Sequence, residues 1–145
     1  MEQKSFYVDT CIWLNLFKKE GDSTKGTPYW KIAEDFVSKV KKNNDKIIVS
    51  TIVLKELSFK AGEIFKIIKQ FFEGEEYIEM VKSTNDDFKF ARKLESKSGF
   101  EISFYDCLHI AISKRLNFAL VTRDNKLIDF AEEYVEAKRP EDLVY

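Results

Sequence analysis

The sequence predicts an α/β fold built on a mostly parallel β-sheet. Short runs of β-branched and aromatic residues alternate with amphipathic segments of helical length along the chain. The clearest strands are "KIIVS" at 46–50 and "FALVT" at 118–122, and each has helical segments on both sides. With 145 residues, 44% of them hydrophobic, we expect one domain over residues 1–145 with a substantial core.

The first half of the chain predicts two strands and three helices. A strand at 5–9 leads into a short helix at 11–19, and Thr27-Pro28 is expected to be the N-cap and first residue of the next helix. That helix ends in the polar turn at 42–45, before the strand at 46–50. One long amphipathic helix should follow, with six apolar residues on one face: Leu54, Leu57, Ala61, Ile64, Phe65 and Ile68.

The second half continues the alternation. "EYIEMV" at 76–81 is a third strand, half polar, and Asn85-Asp86-Asp87 is expected to cap the helix behind it. A helix over "SFYDCLHIAISKR" precedes the strand at 118–122. "KLIDFAEEY" then forms a last helix before a short strand at "VEA".

Composition narrows the functional classes. The formal net charge is −1, so the chain lacks the overall basic signature of a nucleic-acid binder, although local basic pairs are present. Cys11 and Cys107 have neither disulfide-framework nor metal-site spacing, and we interpret both as buried small hydrophobic residues. No leader-like segment opens the chain, and no apolar run reaches the roughly 18 residues of a membrane span. We therefore expect a cytoplasmic protein with no membrane partner.

Four acids occupy positions where α/β sheets bind ligands, beyond the carboxyl ends of the strands. Asp9 ends the first strand, and Asp124 follows the fourth. Glu56 lies early in the helix after the second strand. Asp106 lies in the first turn of the helix before the fourth strand, and spacing alone leaves open whether it shares their edge.

Each acid alone also has a structural explanation. Asp9 and Asp124 are good helix caps, Asp106 completes a capping box with Ser103, and Glu56 lies off the apolar stripe as a solvated residue would. Together, however, four like charges are unstable unless they are partly protonated or hold a cation. Oxygen ligands favour Mg²⁺ or Mn²⁺ over zinc, and such cations promote attack of water on a phosphodiester.

The order and context of these acids resemble the PIN-domain family of metal-dependent nucleases. Four motifs match in order over essentially the whole chain: "FYVDTCIWL", "VSTIVLKEL", "SFYDCLHIAIS" and "FALVTRDNKL". Their acids are 47, 50 and 18 residues apart. The tail "VEAKRPEDLV" also resembles the closing strand and Pro-Glu segment of many members.

The resemblance implies a three-layer α/β/α sandwich with a central, mostly parallel sheet of about five strands. It implies hydrolysis of RNA at a catalytic Mg²⁺ or Mn²⁺ cluster formed by Asp9, Glu56, Asp106 and Asp124. The hydroxyls of Thr10 and Thr122 would hold Asp9 and Asp124. Small prokaryotic members are commonly VapC-type toxins, so a short antitoxin and a homodimer are expected partners.

Four neighbouring residues have less defined roles. Cys11 stands where many members have Asn or Ser, which puts a polar contact to the site in doubt. His109, one turn after Asp106, either faces the site or, as such residues more often do, packs in the core with one hydrogen bond. Arg123 and Lys55 flank motif acids and are candidate phosphate contacts.

Other functions remain open at this level. A housekeeping RNA-processing nuclease would use the same acids, and a catalytically silent PIN-like binding module would act through a partner. The intact set of four acids argues against the silent module. An aspartyl phosphotransferase needs a second acid two residues after Asp9, where this chain has Cys11.

Overall fold

A computed structural model of the protein describes residues 2–21, 26 and 28–143. Its centre is a five-stranded sheet in the order β3-β2-β1-β4-β5, and every neighbouring pair is parallel. The predicted parallel sheet is confirmed, with every strand boundary within two residues of its expected position. The strands are β1 (Ser5–Val8), β2 (Lys46–Ser50), β3 (Ile78–Val81), β4 (Ala119–Val121) and β5 (Ala137–Lys138).

Helices cover the sheet and produce the expected three-layer α/β/α arrangement. The hydrophobic core consists of the apolar residues of β1, β2 and β4 together with the apolar residues on the helix faces that pack against the sheet. The helices are α1 (Thr10–Lys18), α2 (Tyr29–Lys42), α3 (Thr51–Lys60), α4 (Phe65–Gly74), α5 (Asn85–Lys97), α6 (Phe104–Leu116) and α7 (Asn125–Ala131). Short 3-10 turns lie at Gly62–Ile64 and Pro140–Asp142.

The prediction of one long helix after β2 is wrong. The chain forms α3 and α4 instead, joined by the 3-10 turn that begins at Gly62. Gly62 has φ +61°, a left-handed conformation that glycine adopts without the steric cost borne by other residues. The apolar spacing continues across the break, so periodicity alone does not reveal it.

Two predicted helix starts are also displaced. Pro28 is the N-cap of α2 rather than its first residue, and Thr27 lies outside the described residues. The N-cap of α5 is Thr84, one residue before the predicted cap. Its hydroxyl accepts from the Asp87 amide at 3.1 Å, while the Asp87 carboxylate accepts from the Thr84 amide at 2.9 Å. This capping box explains the acidic start of α5.

The topology brings several chain segments to one edge of the sheet. Because all the strands are parallel, Asp9 after β1, Ser50 at the end of β2 and Thr122 after β4 lie at the same carboxyl edge. α6 also begins at this edge, since it runs back across the sheet before β4. None of the helices among the described residues is long and apolar enough to span a membrane.

Candidate metal centre

Asp9 is both a helix cap and the centre of the acidic site. It is the N-cap of α1, and its Oδ1 accepts from the Thr10 amide at 2.7 Å. Its own amide donates to the Val121 carbonyl of β4 at 2.9 Å. The Thr122 hydroxyl donates to Oδ2 at 2.7 Å. These bonds hold a buried carboxylate between β1 and β4. Asp9 therefore caps α1 and belongs to the acidic site at the same time.

Glu56 is buried, with an exposed fraction of 6%, although it lies off the apolar stripe of its helix. Its Oε1 accepts from the Thr10 hydroxyl at 2.9 Å and contacts His109 Nε2 at 2.6 Å. Its Oε2 lies 3.5 Å from Lys60 Nζ. Burial opposes ionisation, but the bonds from His109 and Thr10 outweigh it and lower the pKa of Glu56. Glu56 is therefore an anchored, ionised carboxylate rather than a solvated one.

The threonine hydroxyls pair differently from the expected arrangement. Thr122 donates to Asp9, whereas Thr10 donates across the site to Glu56. Thr122 also accepts from the amide of Asp124 at 3.3 Å. The two hydroxyls thus hold the carboxylates of Asp9 and Glu56, which come from segments far apart in the sequence.

Asp106 joins the same electrostatic environment. The Ser103 hydroxyl caps α6 by accepting from the Asp106 amide at 3.2 Å, which is one half of the expected capping box. Burial and then the nearby charge of Asp9 raise the pKa of the Asp106 carboxyl to about 6, with Glu56 adding to the effect. The charges of Asp9 and Glu56 therefore act on Asp106 at the start of α6.

Asp124 lies at the same edge but is exposed. It is the N-cap of α7, and its Oδ1 accepts from the amides of Lys126 at 3.0 Å and Leu127 at 3.3 Å. Its connection to the buried acids runs through Thr122. The structure therefore links Asp124 to the buried acids through its backbone amide, while one oxygen of its carboxylate is engaged by its own helix.

His109 faces the site, and the interpretation as a core residue with one hydrogen bond is wrong. Its side chain is fully buried, with Nε2 2.6 Å from Glu56 Oε1 and 3.4 Å from Asp9 Oδ1. Its Nδ1 lies 2.6 Å from the Tyr7 hydroxyl. Burial disfavours its charged form, but the contacts with Glu56 and Asp9 outweigh this and raise the pKa of His109. The sequence signal is its spacing three residues after Asp106 on one helix face.

Cys11 is half-buried and makes polar contacts, so its interpretation as a buried small hydrophobic residue is wrong. Its thiol donates to Asp9 Oδ2 at 3.3 Å and lies 3.5 Å from the Thr122 hydroxyl. Burial and the charge of Asp9 raise its pKa well above the usual value, which keeps it a protonated donor. Cys11 thus supplies a polar contact to the site, which the sequence had left in doubt. Cys107 is fully buried, as expected.

The two candidate phosphate contacts have other partners in the structure. The guanidinium of Arg123 binds both carboxylate oxygens of Glu141, at 2.8 and 2.9 Å, and lies 4.1 Å from the Tyr29 ring centroid. Lys55 Nζ lies 5.9 Å from the Tyr105 ring centroid. Among the described residues, Lys60, one helical turn after Glu56, forms an ion pair with that acid.

The donor set fits a hard divalent cation. Candidate ligand atoms of Asp9, Glu56 and His109 all lie within 4.8 Å of one another. His109 Nε2 lies 2.6 Å from an ionised carboxylate, which only accepts hydrogen bonds, so Nε2 carries a hydrogen and cannot bind a metal ion. The atoms available as metal ligands are therefore the carboxylate oxygens. Carboxylate oxygens are the ligands that Mg²⁺ and Mn²⁺ prefer.

The fold and the site define a class of protein: a parallel α/β/α sandwich with anchored carboxylates at the carboxyl edge of its sheet. The family profile of the PIN domain matches residues 6–133. The chain therefore belongs to the PIN-domain family. A comparison with curated protein sequences gives no significant match.

Solved structures share the fold at low sequence identity. VapBC2 from Rickettsia felis, bound to a DNA fragment from its promoter, has a TM-score of 0.66 at 19% identity, covering 93% of this chain and 98% of that one. DNA-bound VapBC from Salmonella typhimurium has a TM-score of 0.65 at 16% identity, covering 96% and 99%. FitAcB from Neisseria gonorrhoeae has a TM-score of 0.63 at 15% identity, covering 95% and 99%.

Proposed function

We propose that this protein is an endoribonuclease that uses Mg²⁺ or Mn²⁺ to hydrolyse RNA phosphodiester bonds. The observation that carries the proposal is the pair of buried carboxylates, Asp9 and Glu56, each held by several donors at the carboxyl edge of the sheet. Membership of a family of nucleases supports the same reaction class.

Each acid has a defined part in this proposal. Asp9, Glu56 and Asp106 would hold the divalent cation, with Asp124 as the fourth acid beside them. The cation would supply an activated water and would stabilise charge on the scissile phosphate and the leaving oxygen. Thr10, Thr122, Cys11 and His109 fix the carboxylates through the hydrogen bonds described above, so that little reorganisation is needed when the cation binds.

We further propose that the protein is the toxin of a VapBC-type pair, with a short antitoxin as its partner and a homodimer as its assembly. Structural similarity to VapBC assemblies from two organisms over more than nine-tenths of the chain supports this assignment. A short open reading frame just upstream would support the toxin over a housekeeping nuclease. Cytoplasmic location stays a prediction from the sequence.

Cleavage of RNA should require a divalent cation. Incubating the purified protein with total cellular RNA should generate new, discrete 5′ ends in Mn²⁺ or Mg²⁺, and none in excess EDTA. Mapping these ends by primer extension or sequencing measures the activity and shows which RNA is cut. Equal cleavage in EDTA and Mn²⁺ would contradict the metal-dependent mechanism.

Lys60 is expected to contact substrate phosphate beside the site. Its side chain is 56% exposed, and its Nζ lies 3.5 Å from Glu56 Oε2. A surface ionic contact contributes about 1 kcal/mol, so Lys60→Gln should raise KM about fivefold at saturating Mn²⁺ while kcat changes little. Lys41→Gln, at the end of α2 near the opposite sheet edge, is the matched control. A Lys60 variant with the wild-type KM would exclude this contact.

A further inference from the structure

A ring of buried hydrogen bonds begins and ends on α3. The Ser50 hydroxyl, at the N-cap of α3, lies 2.6 Å from the Tyr7 hydroxyl of β1. The Tyr7 hydroxyl lies 2.6 Å from His109 Nδ1 on α6. His109 Nε2 lies 2.6 Å from Glu56 Oε1, which returns the ring to α3. All four side chains are buried, with exposed fractions of 0–6%.

Glu56 fixes one donor in this ring, and the charge of His109 sets the direction of the other two hydrogen bonds. Glu56, when ionised, only accepts, so His109 Nε2 carries a hydrogen. At the other end, the Ser50 hydroxyl oxygen already accepts from the Val53 amide at 3.2 Å. With a neutral imidazole, Ser50 donates to the Tyr7 oxygen and Tyr7 donates to His109 Nδ1. With an imidazolium, which the raised pKa of His109 favours, Nδ1 donates to the Tyr7 oxygen and Tyr7 donates to Ser50. Every polar atom in the ring has a partner, which buried polar groups require.

Each residue of the ring other than Glu56 lies close in the sequence to one of the acids or to the helix that carries it. Tyr7 lies on β1, two residues before Asp9, which continues the strand in an extended conformation as the N-cap of α1. Alternate residues of an extended chain point to the same face. His109 is three residues after Asp106, on the same face of α6. Ser50 caps the helix that carries Glu56. The ring therefore ties together β1, α3 and α6, which carry or lead into three of the acids.

We propose that Ser50, Tyr7 and His109 are positioning residues that orient the Glu56 carboxylate for cation binding, an inference that rests on the proposed function. Oε1 of Glu56 is occupied by His109 and Thr10. Oε2 is thereby directed outward, where it meets the positive charge of Lys60 at 3.5 Å. The ion pair with Lys60 is a separate observation that Oε2, rather than Oε1, is the oxygen of Glu56 that is accessible to a positive charge.

Tyr7→Phe tests the proposal because it removes one hydroxyl from the ring without touching Glu56. Loss of an interaction that supports a metal ligand typically weakens metal binding by 10–100-fold, so we expect Mn²⁺ affinity, measured by titration calorimetry, to fall about tenfold. Tyr77→Phe is the matched control, since Tyr77 precedes β3 at the opposite edge of the sheet, and its Mn²⁺ affinity should equal that of the wild type.

A purely structural role for Tyr7 predicts a different result. The variant would then unfold at a lower temperature, yet each folded molecule would bind Mn²⁺ with wild-type affinity, and that outcome would overturn the proposal. Ser50→Ala provides a second variant if Tyr7→Phe does not fold. It lies one hydrogen bond farther from Glu56, and it should weaken Mn²⁺ binding in the same direction.

Nuclear magnetic resonance of the metal-free protein separates this inference from the proposed function. With ¹⁵N-labelled histidine, every signal comes from His109, because the chain has one histidine. We expect a hydrogen on Nε2 that exchanges slowly with water, and faster exchange in Tyr7→Phe. An Nε2 without a hydrogen would overturn the ring arrangement. A wild-type protein that shows this signal but binds no Mn²⁺ would instead contradict the proposed function, and with it the cation role of the ring.

Discussion

Replacing Asp9 with asparagine is expected to abolish RNA cleavage while leaving the fold intact. The substitution removes the charge of a buried, hydrogen-bonded acid but keeps its size, and Thr10 and Thr122 remain in place around it. Cation stabilisation of a phosphoryl transition state contributes several kcal/mol, so the rate should fall at least about a hundredfold. Single-turnover cleavage of a defined RNA in Mn²⁺ measures this loss.

The same variant should lose its response to metal in thermal unfolding. Mn²⁺ at about 100 times its dissociation constant should stabilise the wild type by about 2.7 kcal/mol. Asp9→Asn should show little of this shift, and its metal-free unfolding temperature should stay near that of the wild type. Asp45→Asn is the matched control, because Asp45 is a buried acid just before β2, at the opposite edge. Full activity in Asp9→Asn would refute the assignment of the site.

Arg115→Met is expected to cause a large loss of stability at a distance from the chemistry. Arg115 on α6 binds Asp87 on α5 through Nε at 3.0 Å and Nη2 at 3.0 Å, and it also reaches the Lys82 carbonyl at 3.1 Å. The Asp87 side chain is 3% exposed, whereas that of Arg115 is 36% exposed. Removing one partner leaves a buried charge, and after allowance for solvent around Arg115 the expected cost is about 2 kcal/mol.

Thermal and urea unfolding of Arg115→Met check this expectation, with a fall in Tm of roughly 6–8 °C for a chain of this size. The double variant Arg115→Met/Asp87→Asn should recover part of the lost stability, because it no longer contains the unpaired, buried Asp87 carboxylate. Lys31→Met, which breaks only exposed pairs on α2, should change the Tm little. A double variant less stable than the sum of its single variants would contradict the stranded-charge explanation.

The alternation of strand and helix in the sequence was sufficient to predict the sheet. Runs such as 46–50 and 118–122 are short, apolar and β-branched, and these local properties survive in the folded chain as β2 and β4. Local signals failed where the backbone changes direction without a change in apolar spacing, as at Gly62. The start of α2 was displaced by one residue for a similar reason, since Pro28 fits either position.

The proposed ligands were also accessible from the sequence, because chain order and a parallel sheet place residues that follow strands at one edge. This argument applies directly to Asp9 and Asp124. It did not place Asp106, whose helix precedes its strand, and it did not predict the burial of Glu56. The residues that surround Asp106 and Glu56 come from other segments of the chain, and the local sequence pattern around each acid contains no information about them.

The sequence alone therefore defines the parallel strands, the order of the acids and the sheet edge shared by Asp9, Glu56 and Asp124, because these depend on local periodicity and connectivity. The atoms that hold the acids are known only from the folded chain. Thr10 meets Glu56 across 46 residues, His109 meets Glu56 across 53, and Thr122 meets Asp9 across 113. Such contacts depend on how each helix is rotated and packed against the sheet, and periodicity specifies a helix face but not the atom it presents to a neighbour.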